Sequence, residues 1–146
     1  EWFGVYGMIW WWDDMLHGVS GAIFGVVGLL AIYFFNDRHN AMISPLLVGV
    51  FVFCFSVTLG VVWEMFEFTV DVLFGTAMQQ WNMPEDAIVI GKSYQGMGLR
   101  DTMSDLTAAT IGSFAAAAFA YVMYRDQKRT VLSVMRRVFG RRESQE

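Results

Sequence analysis

Three stretches of the chain carry no charged residue: Gly18 to Asn36, Ala41 to Trp63, and Leu106 to Tyr124. Each comes close to the ~20 apolar residues that a helix needs to cross a bilayer. The pattern predicts an all-α, polytopic transmembrane bundle of three spans, at about 14–35, 42–74 and 101–124. The second span is the longest. At ~1.5 Å per residue it exceeds the ~30 Å hydrocarbon thickness, so its acidic end is expected to emerge among the headgroups or to tilt.

The intervening stretches are polar and short, with one exception. Asn36 to Asn40 reads as a turn, with His39 solvated in it. Residues 75–100 form a 26-residue loop holding Pro84 and four glycines, a length that usually signals a functional segment or disorder. Within it, Ala87 to Ile90 reads as a short strand or a membrane-dipping piece. Residues 2–12 are aromatic but too few to span, and fit an interfacial segment or the end of a helix. The chain starts on Glu1, which fits a processed start or one lacking upstream sequence, and it shows no signal-peptide pattern.

Composition agrees with the pattern. Hydrophobic residues make up 55% and charged residues 16%, where a soluble domain carries roughly 25% charged. The length allows one domain at most, with a transmembrane part at 1–124 and a tail at 125–146. The net charge of −4 conceals an asymmetry, because residues 125–146 hold seven Lys or Arg and three acids. With Val131, Leu132, Met135, Val138 and Phe139 on one helical face, that tail reads as a basic amphipathic segment suited to an anionic membrane surface. Positive charge favours the cytoplasmic side, which orients the chain N-out/C-in and puts the 75–100 loop outside. Trp10, Trp11, Trp12, Trp63 and Trp81 then fall at the outer boundary, as an aromatic belt would. Membrane lipids, a second copy or a larger membrane complex are the expected partners; nothing supports nucleic acid. Cys54, the sole cysteine, excludes an internal disulfide.

This threading brings acids from all three spans to one face. Asp13, Asp14 and His17 open the first span, Glu64, Glu67 and Asp71 close the second, and Asp101 and Asp105 open the third. Glu64, Glu67 and Asp71, at i, i+3 and i+7, share one helical face. Below each set lies a small-residue stripe that permits close helix approach: Gly21 and Gly25, Gly60, and Ala108 with Gly112. Clustered carboxylates near hydrocarbon require protons, water or a cation. The expected site is a divalent-cation centre of Asp14, His17, Glu64, Glu67, Asp101 and Asp105. Oxygen ligands suit Mg²⁺, Ca²⁺ or Mn²⁺, and His17 admits Zn²⁺ or Fe²⁺. Against this stand plainer readings: Asp101 as a helix N-cap, Asp13 as solvated, Asp71 as interfacial and His17 as a packed polar residue. Arg100 is the one cation nearby in sequence.

Asp-x-x-His-Gly (Asp14, His17, Gly18), Trp-Glu-x-x-Glu-Phe (Trp63, Glu64, Glu67, Phe68) and Gly-x-x-Asp-x-x-x-Asp (Gly98, Asp101, Asp105) resemble the YjdF family of bacterial inner-membrane proteins. They resemble VanZ-type membrane proteins more distantly. The resemblance covers roughly residues 12–118 and implies a multi-pass protein of the bacterial inner membrane carrying this acidic set, without implying a reaction. Three functions fit the residues. The first is a cation site acting on a lipid headgroup, with Gln95 to Gly98 beside Arg100 as a weak phosphate-binding signal and a turn as its plainer reading. The second is an accessory subunit of a larger complex, and the third is cation or proton transport.

Overall fold

The structure, a computed structural model, describes residues 9, 11–39 and 43–139, the side chains of 36–39 and 127–139 excepted. Three α-helices account for most of it: α1 (Trp12–His39), α2 (Pro45–Phe74) and α3 (Met97–Phe139), with one 3₁₀ turn at Ser93–Gln95. Each is long and apolar enough to cross a membrane, over Trp12–Phe35, Pro45–Phe74 and Met97–Asp126. No strand occurs among the described residues, so Ala87 to Ile90 is neither strand nor helix.

Local chemistry sets the helix ends. Ser44 caps α2 by accepting the Leu47 N–H at 3.2 Å, and Pro45, whose missing N–H costs nothing there, takes the first helical position. Gly75, in the left-handed region at φ 64°, ends α2 and returns its N–H to the Asp71 carbonyl at 2.9 Å. α1 runs through Asn36 to His39, later than the expected turn, and Asn40 lies outside the described residues, as does the His39 side chain. α3 begins at Met97, after Gly96 at φ 49°, and the Arg100 N–H already bonds the Gly96 carbonyl at 3.2 Å. Asp101 therefore sits inside the helix, and the N-cap reading for it is wrong. Most of residues 2–12 and the side chains of the tail's apolar face also lie outside the described residues.

The small-residue stripes are where the helices meet. A Cβ on Gly112 would collide with the Gly18 carbonyl oxygen, and one on Gly21 with the Ala109 carbonyl, so α1 and α3 touch backbone to backbone. A Cβ on Gly28 would meet the Phe55 ring of α2 at 2.8 Å. Away from the acidic end, Leu29, Ile32, Val48, Val52, Ala117 and Ala120 form an apolar core. Between core and acids lies a hydroxyl layer. Ser56 donates to the Gly21 carbonyl at 2.6 Å, Ser113 donates to the Ala109 carbonyl at 2.7 Å, and the two hydroxyls are 2.7 Å apart.

The long loop folds back over the acidic end. Asp71, read as merely interfacial, anchors its start: its carboxylate accepts from the Thr76 hydroxyl at 2.5 Å and the N–H groups of Met78 and Gln79 at 2.8 and 3.0 Å. Gln79 donates to Thr102 of α3 at 2.8 Å, and the Trp81 indole donates to the Thr76 carbonyl at 2.8 Å. Buried Arg100 holds the other end, donating to the carbonyls of Ile90 at 2.8 Å, Glu85 at 2.9 Å, and Ile88.

A candidate cation site at the acidic end of the bundle

Because α2 runs antiparallel to α1 and α3, the start of α1, the end of α2 and the start of α3 share one end of the bundle. His17, one turn into α1, stands at the centre of the acids. Its Nδ1 lies 3.6 Å from Glu64 Oε1, and its Nε2 lies 3.8 Å from both Asp105 Oδ2 and Asp13 Oδ1. Two sets place one ligand atom from each residue within 4.8 Å of the others: Asp13, His17 and Asp105 on one side, and His17, Glu64 and Glu67 on the other. The imidazole is shared, one nitrogen to each side.

These acids are deeply buried: Glu64 is 5% exposed, Glu67 6%, Asp101 3% and Asp105 1%. Yet five of their oxygens lack a hydrogen bond: both of Glu64 and one each of Glu67, Asp101 and Asp105. The Thr102 hydroxyl approaches Glu64 without closing a hydrogen bond of normal geometry. Glu67 has one partner, the Trp63 indole N–H, which donates to Oε1 at 2.8 Å. Among the described residues, the only basic group within ion-pair reach of the cluster is His17, which carries a charge only when protonated. Arg100, the cation nearest in sequence, spends its guanidinium on the loop carbonyls and Met97 Sδ. Leaving a buried carboxylate unpaired costs several kcal/mol, so the arrangement calls for protons, water or a cation.

Two cavities adjoin the cluster. A polar one of about 20 Å³, bounded by Asp13, Asp14, Asp101, Ser104 and Asp105, is roofed by Ala87 to Val89 of the loop. That is room for roughly one water or one ion. A larger one of about 300 Å³ opens between α1 and α2, with His17 and Glu67 on its wall.

Of the residues expected in the site, His17 comes within ligand range of Asp105 in one set and of Glu64 and Glu67 in another, and Asp101 and Asp14 border the small cavity. Asp14 accepts from the Ser104 hydroxyl. Asp13 is not simply solvated: it faces His17 and accepts from Gln80 Nε2. The i, i+4 spacing of Asp13 and His17 carried that signal. The same spacing ties Trp63 to Glu67. No sequence signal pointed to Gln80, whose backbone sits at φ 43°, a conformation uncommon for a residue with a Cβ.

No curated protein and no solved structure matched the chain. Residues 2–126 match the family described as a predicted membrane protein (DUF2238), and the chain belongs to that family.

Proposed function

We propose that this membrane protein holds a divalent cation at one face of the bilayer, in the cluster centred on His17. His17 Nε2, Asp105 Oδ2 and Asp13 Oδ1 are the assigned ligands, with Asp101 beside them on the small cavity. Separations of 3.8 Å from nitrogen to oxygen are spanned by two bonds of ~2.1 Å meeting at an open angle. Glu64, on the Nδ1 side, would orient the ring, as carboxylates commonly do for metal-bound histidines. One imidazole with carboxylates suits Zn²⁺, Fe²⁺ or Mn²⁺, whereas Mg²⁺ and Ca²⁺ prefer oxygen alone. The observation that carries this reading is the set of five buried carboxylate oxygens without a hydrogen bond.

A cation there would lie near the headgroup level, where activation of a bound water against a lipid headgroup is the chemistry it supplies. The N-out/C-in orientation, with the cluster facing outward from a bacterial inner membrane, and the narrower YjdF-like kinship belong to the same proposal. Transport is disfavoured by the fold below the cluster, where hydroxyls end on backbone carbonyls and the apolar core follows. Metal analysis of detergent-purified protein tests the reading. About one divalent cation per chain is expected, falling at least tenfold in His17→Ala. Protein that stays metal-free when equilibrated with Zn²⁺, Mn²⁺ and Mg²⁺ in turn would overturn it.

A further inference from the structure

The larger cavity has a shape that the cation does not need. On α1 it is lined by residues 13, 16, 17, 20, 21 and 24, a single helical stripe, and on α2 by residues 60, 63 and 67. Two antiparallel stripes therefore face each other across about 300 Å³. From Asp13 to Phe24 the cleft follows α1 for roughly 16 Å, at ~1.5 Å per residue. Its polarity changes along that length. Asp13, His17 and Glu67 stand at the end nearest the loop, Ser20 lies one turn deeper, and Phe24 and Gly60 lie toward the middle of the bundle. A polar end at the membrane rim and an apolar end toward the bilayer centre match a lipid lying parallel to the helices.

The charge at the polar end selects the head. Glu67 is 6% exposed, its Oε2 has no hydrogen bond, and it lines this cleft. Among the described residues no Lys or Arg lines the cleft, so an anionic head would meet Glu67, which the cation reading leaves without a metal, directly. An ammonium brings N–H donors for Glu67 Oε2 and a positive charge for the indole of Trp63. Ser20, one turn deeper, is placed to donate to an ester or phosphate oxygen behind that ammonium.

We propose that the cleft between α1 and α2 binds an amphiphile with a primary-amine head, an amino phospholipid, with the ammonium at Glu67 and an acyl chain along Leu16 and Phe24. The site goes beyond the cation reading: it uses the open side of the cluster and does not require Asp105.

Native mass spectrometry of protein released from nanodiscs of equimolar phosphatidylethanolamine and phosphatidylglycerol, matched in acyl chains, is the test. Gly60→Leu places an isobutyl group at a position lining the cleft, where a Cβ would stand in ordinary contact, 3.6 Å from the Ala109 Cβ. Glu67→Gln removes the charge while keeping an oxygen for Trp63, and decides alone should Gly60→Leu not fold. The wild type should retain phosphatidylethanolamine at least tenfold over phosphatidylglycerol, with loss in both variants and retention in Asp105→Asn. Equal retention of the two lipids by the wild type would overturn the proposal. So would selectivity that survives both variants, or a dimer that holds no lipid and dissociates in Gly60→Leu. Metal content measured on the same samples separates the two readings. A metal-bearing protein without lipid preference sinks this one alone, and a metal-free protein with the preference sinks only the cation site.

Discussion

The two halves of this bundle treat buried polar groups in opposite ways. At the acidic end, five carboxylate oxygens are buried without hydrogen bonds, around a single histidine. In the layer just below, Ser56 and Ser113 are fully buried, within donating distance of backbone carbonyls and with their hydroxyl oxygens 2.7 Å apart. Deeper still, apolar packing takes over, with the Tyr124 hydroxyl as the one unpartnered polar atom recorded there. The same three helices build both halves, so the difference is not one of fold quality. Where only packing matters, the chain satisfies itself; the buried acids it leaves short are what the proposed cation would satisfy.

The strongest way to break this contrast is to attack the contact that holds both halves together. Gly112→Val places a Cβ on the Gly18 carbonyl oxygen, and neither backbone can yield without separating α1 from α3. A loss of about 3 kcal/mol or more is expected, in the range of overpacked buried positions. Thermal unfolding in detergent measures it, and an unchanged midpoint would mean that the two helices do not meet there.

Asp105→Asn sharpens the contrast by giving a result of opposite sign. Asp105 is 1% exposed with Oδ2 unpartnered, so without a cation its charge is a burden on the fold. Removing that charge should stabilise the cation-free protein by about 1–3 kcal/mol. The wild type, but not the variant, should then gain about 2.7 kcal/mol when a binding cation is supplied at a hundredfold excess over its Kd. Denaturation curves with chelator and with Mn²⁺ or Zn²⁺ read both effects. Destabilisation of the cation-free variant would show that Asp105 is structural, like the serines below it.

Much of this could be read from the chain because the decisive facts were periodic or topological. Charge-free runs near 20 residues announce the spans, and antiparallel threading forces the acidic ends together whatever the details of packing. The glycines of α1 recur at helical spacing, so their role as a contact stripe was legible too. What stayed hidden depends on helix rotation and on the loop. Adjacent positions on a helix differ by ~100°, so whether Asp13 or Asp14 joins Asp105 of α3 is settled only when α1 docks on α3. The N-cap alternative for Asp101 fails because α3 starts at Met97, four residues earlier than the expected 101. Arg100 is the one cation nearby in sequence, but the loop carbonyls of Glu85, Ile88 and Ile90 claim it. Loop backbone of this kind leaves no pattern in sequence.

Ser113→Ala probes the satisfied half with a smaller effect. It deletes the hydroxyl that bonds Ala109 and Ser56, leaving Ser56 its bond to Gly21. A cost of about 1 kcal/mol is expected, as for other interhelical hydrogen bonds in bilayers. Cation content should not change, because no ligand is touched. A tenfold fall in bound metal would instead tie the serine layer to the site above it.

Gly60→Ala should do least, and its smallness is informative. A Cβ at Gly60 would stand 3.6 Å from the Ala109 Cβ, whereas one at Gly112 would collide with backbone. Both glycines lie on small-residue stripes and look alike in sequence, yet only one is needed for helix contact. Gly60 lines the cleft between α1 and α2, where space remains. A change within about 0.5 kcal/mol is expected, since a methyl fits and alanine is the better helix former. A loss comparable to that of Gly112→Val would mean that α2 packs as tightly on α3 here as α1 does. The cleft would then be closed, and the acidic end would have no apolar path leading away from it.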